Sequence, residues 1–170
     1  MNNPATTCLS WTVAAEPVGS PEAMALTREY YTEVSDRYFL LHEGRRSTPA
    51  ELEEGLADYP TPGLVAPDGL LLVARYGDEA VGCAGVRLLD ARTAELKQLF
   101  LRTAVRGKGG AGVLLAAAER AAAELGAERI RLDTRLDLVE AIALYRAHGF
   151  REIPAYNNSP YAQIFFEKRL

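Results

Sequence analysis

The run Val105-Arg106-Gly107-Lys108-Gly109-Gly110-Ala111-Gly112-Val113-Leu114-Leu115 constrains this chain more than any other stretch. An apolar, strand-like segment, Leu96 to Leu101, precedes it, and an alanine-rich helical segment, Val113 to Leu125, follows. A glycine turn that leads a strand into a helix presents bare backbone N–H groups at a helix N-terminus. Unpaired donors and the helix dipole both favour negative charge there, so the expected ligand is a phosphate or diphosphate group.

The elements around the turn define the fold class. Cys8 to Ala14 alternates as a first strand. Ser20-Pro21-Glu22 opens a helix to about His42, with Gly44 as its stop signal. Thr48-Pro49-Ala50-Glu51 is a capping box for a short helix to about Asp58. Leu70 to Tyr76, Ala80 to Leu89 and Ala94 to Leu101 read as a three-strand meander turned at Gly77-Asp78 and Asp90-Ala91-Arg92. After the glycine turn and its helix, which ends at Gly126, Arg129 to Thr134 is a strand. Strand, helix, strand implies a right-handed crossover and a parallel pair. Asp137-Leu138-Val139-Glu140 has the form of a helix cap and opens a helix to His148. Phe150 to Tyr156 and Gln163 to Lys168 are the last strands, joined by a tip containing Asn157, Asn158, Ser159 and Pro160. The expectation is an α+β fold in one domain spanning 1–170. Its sheet is mixed and mostly antiparallel, with six to seven strands, about four helices and a splayed parallel strand pair.

Composition narrows the function. The chain has 170 residues, 48% hydrophobic and 25% charged, with a formal net charge of -4. A nucleic-acid partner held by phosphate neutralisation calls for a basic face, so none is expected. No apolar run approaches the ~20 residues of a membrane span, and no membrane partner is expected. The N-terminus lacks a basic start and an apolar core, so the default location is the cytoplasm. Cys8 and Cys83 lack metal-ligand spacing, read as buried free thiols, and no metal is expected.

Other phosphate-binding turns fit poorly. A Walker P-loop places Lys and then Ser or Thr after its final glycine, whereas Lys108 comes before Gly109. A dinucleotide fingerprint needs an earlier βαβ unit, with an acid such as Asp133 on the next strand; three antiparallel strands upstream do not supply that unit.

Arg106-x-x-Gly109-x-Ala111 has the form R/Q-x-x-G-x-G/A. With the strand Glu95 to Leu101 before it, and with Glu140-Ala141-Ile142-Ala143-Leu144-Tyr145-Arg146-Ala147-His148-Gly149-Phe150 downstream, the chain resembles the GCN5-related N-acetyltransferase (GNAT) superfamily over nearly its whole length. That resemblance implies acetyl-CoA as acetyl donor. Its diphosphate would lie on amides of Gly107, Lys108, Gly109, Gly110, Ala111 and Gly112, aided by Arg106. Its pantetheine arm would lie between splayed strands, here Leu99, Phe100 and Leu101 on one side and Leu132 to Thr134 on the other. A free amide near Leu101 would polarise the thioester carbonyl.

The implied reaction is direct attack of a primary amine on the thioester. Tyr145 matches the position that often donates a proton or hydrogen bond to the leaving sulfur. Glu95 lies where related enzymes often carry a carboxylate base, with a structural or orienting carboxylate as the equal alternative; an ion pair with Lys97 would count against the base. The resemblance nominates Tyr31, Tyr38 and Tyr156 for the acceptor, together with Arg37, Glu43, Asn157 and Tyr161. The acceptor is expected to be a small-molecule amine, and a homodimer is allowed. A non-catalytic acyl-CoA-binding sensor is the alternative. One departure stands out: family members often place an asparagine shortly before the tyrosine helix, and this chain has Asp133-Thr134-Arg135-Leu136-Asp137-Leu138.

Overall fold

The computed structural model describes residues 9–59 and 61–170. Its strands are β1 (Trp11–Glu16), β2 (Gly69–Tyr76), β3 (Glu79–Asp90), β4 (Thr93–Leu101), β5 (Arg129–Thr134), β6 (Arg151–Ile153) and β7 (Ile164–Arg169). Its helices are α1 (Pro21–Glu43), α2 (Pro49–Leu56), α3 (Gly110–Glu124) and α4 (Val139–Ala147), with a 3-10 turn at Thr103–Val105. The strands form one seven-stranded sheet in the order β1-β2-β3-β4-β5-β7-β6. Every adjacent pair is antiparallel except β4 and β5. The expected mixed sheet with one parallel pair is therefore observed.

The local signals explain most boundaries. Ser20 caps α1 by accepting from the Ala23 amide at 3.1 Å, and Gly44 closes the helix in the left-handed region at φ 67°. Thr48 and Glu51 form the complete capping box of α2. Three expectations move. The first strand begins at Trp11 and runs to Glu16; Cys8 lies outside the described residues. The penultimate strand shortens to Arg151–Ile153, where Pro154 removes the next backbone donor. Asp137 does not cap α4, which has no side-chain cap. Its carboxylate instead accepts from Arg135 Nε and Nη2 at 2.8 and 2.9 Å.

The sheet is covered on both faces. On one face, α3 and α4 close a core containing Val86, Leu96, Leu114, Leu115, Ile130, Leu132, Tyr145 and Phe166. Ala117, Ala118, Ala121 and Ala122 are buried along α3; their small side chains let that helix lie close to β3 and β4. On the other face, Ala23, Leu26, Leu64, Leu71, Val73, Cys83 and Phe100 form a smaller core beneath α1. The site lies where these two layers part around β4 and β5.

Candidate active site

The β4–β5 ladder is short. It joins Thr93 to Arg129, Ala94 to Ile130 and Glu95 to Arg131, and then stops. Beyond it β5 continues its pairing with β7 through Leu132, Asp133 and Thr134. β4 continues with β3 through Phe100 and Leu101. Two strand edges therefore face each other without a shared ladder, which is a slot for an extended chain with amide groups. Leu99, Phe100, Leu101 and Thr134 all lie along it.

At the end of β4 comes the glycine turn. Gly107 and Gly109 take φ 80° and 81°, the left-handed region that a side chain resists. Gly109 is the N-cap of α3, and a Cβ built on it meets nothing within 4 Å. The space above this helix end is thus open, as a diphosphate cradle requires. Helix α3 begins at Gly110, earlier than the expected Val113, so Gly110, Ala111 and Gly112 form its first turn with free amides. The turn is braced from behind. Trp11 Nε1 donates to the Lys108 carbonyl at 2.9 Å, and its ring lies so close to Gly110 that a Cβ there would be 2.3 Å away. Lys108 Nζ sits 5.3 Å from the centroid of Tyr76, which packs on Trp11.

Arg106 is spent differently from the diphosphate contact expected of it. Its Nε donates to the Leu101 carbonyl at 2.9 Å and its Nη2 to Glu33 at 2.8 Å, tying the end of β4 to α1.

Tyr145 approaches the slot from the α3–α4 face. It is 6% exposed and packs on Phe150 and Phe166 with centroids 5.7 and 6.1 Å apart. Burial pushes its hydroxyl well above the ordinary phenol range, and the Asp133 carboxylate adds to the shift. The group stays protonated at neutral pH and is a donor.

Glu95 lies on the opposite face, 2% exposed, and is fully engaged. Arg87, its register partner on β3, donates to Oε1 from Nε and Nη2 at 3.0 and 2.8 Å. Tyr156 donates to Oε2 at 2.7 Å. Lys97 Nζ stands 3.5 Å from Glu95 and 3.6 Å from Asp133. Burial, together with the Glu95 charge and its hydrogen bond, raises the Tyr156 pKa strongly. Asn157 donates to Asp133 at 2.9 Å. A cleft of about 530 Å³ opens over this cluster, lined among others by Arg87, Glu95, Lys97, Arg131, Tyr156 and Asn157.

Of the acceptor residues nominated from sequence, Tyr156 and Asn157 meet at this cleft. The others are employed elsewhere. Tyr31 wedges beneath α2, where a Cβ on Gly55 would overlap its hydroxyl at 1.6 Å. Tyr38 packs against His42 and Tyr161. Arg37 binds Glu140 and the Asp137 carbonyl, and Glu43 pairs with Arg45. The segment that replaces the usual asparagine is anchored to α1, since Arg135 also donates to the Val34 carbonyl at 2.9 Å. Arg87 and Arg131 were not singled out by sequence reasoning. Their strand positions were legible, but a solvated arginine and a cleft-lining one look alike until the register is known. Among the described residues no helix is long and apolar enough to cross a membrane, and no cluster of His, Cys, Asp and Glu has metal-site geometry.

Comparison with known proteins places the chain in a family and supports the fold. The family model of the acetyltransferase (GNAT) family matches residues 24–150. An uncharacterised N-acetyltransferase of Escherichia coli, YjgM, is 39% identical over 84 residues, which is 48% of this chain and 50% of that protein. The chain thus spans about half the length of that curated relative. Among solved structures, the PaiA N-acetyltransferase of Thermoplasma acidophilum in complex with coenzyme A superposes with a TM-score of 0.71 at 18% identity, covering 95% of this chain and 99% of that one. A GNAT family acetyltransferase of Elizabethkingia anophelis with acetyl-CoA bound gives 0.60 at 19% identity, covering 94% and 98%. At these identities the two structures speak for the fold.

Proposed function

The chain belongs to the acetyltransferase (GNAT) family, and from that premise we propose that it transfers an acetyl group from acetyl-CoA to the primary amine of a small molecule. The observation that carries the reading is the slot between β4 and β5, which ends against an open helix N-terminus made of glycines. A diphosphate and an extended amide arm need those two features side by side.

In this reading the amides of Gly107 to Gly112 hold the diphosphate end. Gly109 leaves room for it because its Cβ position is open. The facing edges of β4 and β5 hold the arm. The bound thioester supplies an activated acyl carbon. The amine nitrogen forms a bond to that carbon, the carbon–sulfur bond breaks, and the amine proton passes to solvent. Tyr145 donates a hydrogen bond toward the sulfur as charge develops there. A phenol at its ordinary pKa of ~10 is already a weaker acid than a thiol at ~8.5. Burial of Tyr145 widens that gap, so donation without full proton transfer is the natural role.

Glu95 serves to orient rather than to take the proton. Both its oxygens accept hydrogen bonds, from Arg87 and from Tyr156, and Lys97 Nζ stands 3.5 Å away, so the carboxylate is already committed to its neighbours. It fixes Tyr156 at the wall of the cleft and Arg87 against the loop after α2. Tyr156 and Asn157 then face the incoming acceptor.

The test is calorimetry with CoA, followed by thiol release from acetyl-CoA across a panel of amines. Binding together with amine-dependent release supports the reading. Binding with no release for any amine supports an acyl-CoA sensor instead, and no heat with CoA overturns both.

A further inference from the structure

Gln98 is the only non-glycine among the described residues with positive φ, at 57°. It sits in the middle of β4. Cys83 pairs with Phe100 and Gly85 with Lys97, so Gln98 and Leu99 together face Ala84 alone. This is a bulge, and it falls just after the last rung of the β4–β5 ladder. A left-handed backbone is costly for a residue with a side chain. Glycine would adopt it freely, so the glutamine side chain has a use that offsets the strain.

Its contacts show what that use is. Gln98 is 4% exposed. Its Oε1 accepts from the Thr61 amide at 3.1 Å, and its Nε2 donates to Thr27 Oγ1 on α1 at 3.4 Å. Its own carbonyl accepts from the Cys83 thiol at 3.5 Å. Thr61 adjoins Pro62, whose carbonyl accepts from Arg87 Nη1 at 2.9 Å, and Arg87 is the partner of Glu95. The loop after α2 is thereby fastened to β4 at two points, at the bulge and through the Arg87–Glu95 pair.

We propose that Gln98 is a positioning residue for acyl transfer: its side-chain amide clamps α1 and the loop at Thr61 onto the β4 bulge and so fixes the direction of the β4 edge amides that meet the thioester carbonyl. The proposal rests on the reading of the slot as the acyl-CoA site. It concerns the aim of the strand edge, whereas the diphosphate cradle is built separately at Gly107 to Gly112.

The experiment uses acetyl-CoA labelled with carbon-13 at the carbonyl, isotope-edited infrared spectroscopy, and calorimetry with CoA. Three variants are compared with the wild type. Q98E keeps an oxygen for the Thr61 amide and can accept from the Thr27 hydroxyl. Q98M keeps the volume without the polar contacts. Q98G adopts the left-handed backbone freely but lacks the amide, and it carries the test if Q98M does not fold. Bound wild type and Q98E should shift the carbonyl band to lower frequency, because a fixed donor polarises the carbonyl. Q98M and Q98G should lose that shift while CoA affinity stays within about twofold. A full shift in Q98M or Q98G overturns the role of the amide. CoA affinity that collapses along with the shift overturns it as well, since Gln98 would then serve the fold as a whole. Wild-type protein that binds no CoA instead overturns the functional reading on which the proposal stands.

Discussion

A buried carboxylate that accepts from a guanidinium on one oxygen and from a phenol on the other is committed to holding its neighbours, and Glu95 is in that state. Two substitutions separate this role from that of a base. Glu95→Gln keeps an oxygen for Arg87, and turnover should stay within about tenfold of wild type, short of the ~10²–10⁴-fold expected on losing a general base. Glu95→Ala leaves the Arg87 guanidinium and the Tyr156 hydroxyl without their partner. With Arg87 27% exposed, the cost should be about 2 kcal/mol, read from urea unfolding. A Glu95→Gln enzyme that folds normally but loses roughly 10²-fold or more in turnover would restore the base. Tyr145→Phe removes the donor on the other side of the slot. Turnover should fall roughly 10²-fold with CoA affinity unchanged, and wild-type turnover would leave Tyr145 a packing residue only. Tyr145 and Glu95 could be nominated from sequence because each lies at a fixed offset from a signature. Gln98 could not. Its role depends on Thr61, 37 residues away in sequence, and no local pattern marks a glutamine for the left-handed region.

At the scale of elements, the glycine turn is a joint with two sides. One side faces open space at Gly109, and the other is packed against Trp11 at Gly110. Neighbouring glycines should therefore fail differently. Gly109→Val places a branched side chain at φ 81° and in the cradle. CoA affinity should fall by at least about tenfold, with a stability loss of about 1–2 kcal/mol for the left-handed backbone. Gly110→Val instead drives its side chain into the indole ring, so the loss should appear first as a lowered melting temperature and a displaced Trp11 fluorescence. Unchanged CoA affinity in folded Gly109→Val would remove the turn from the binding site. The turn and the helix after it were legible because glycine and alanine runs have strong local meaning. The brace from β1 was not, since it requires the sheet order that brings Trp11 beside Lys108, 97 residues away in sequence. The acceptor tyrosines show the same limit. Tyr31, Tyr38 and Tyr156 are alike as residue types, and only the sheet and the tip before β7 bring Tyr156 to Glu95.

Across the whole molecule, three acids on the two sides of the sheet are held neutral: Cys83 in the smaller core, Tyr145 in the larger one and Tyr156 at the cleft. Burial pushes the Cys83 thiol up to about 12. The Tyr145 and Tyr156 hydroxyls are raised as well, Tyr145 by burial and the Asp133 charge, and Tyr156 by burial and the Glu95 charge. Each is an acid whose folded pKa exceeds its unfolded one. Below about pH 8 both states hold these protons, and the groups make stability independent of pH. As pH rises past about 9 for the thiol and about 10 for the phenols, the unfolded chain releases protons that the folded chain retains. The unfolded state then binds fewer protons, so unfolding free energy falls with pH, by about 1.4 kcal/mol per unit for each fully separated group. Urea midpoints should accordingly be flat near pH 8 and decline steeply between pH 9 and 11. Cys83→Ala gives the control, because it removes the group that titrates first in the unfolded chain. That variant should be less stable at pH 8, having lost packing and the bond to the Gln98 carbonyl, yet show a shallower decline from pH 9 to 10. A wild-type midpoint that stays level to pH 11, or a variant whose slope matches wild type, would mean that the layers flanking the slot admit water freely. An aqueous slot would in turn weaken the case for a buried Tyr145 donor, because a hydrogen bond to developing charge on sulfur is strong only where water is kept out.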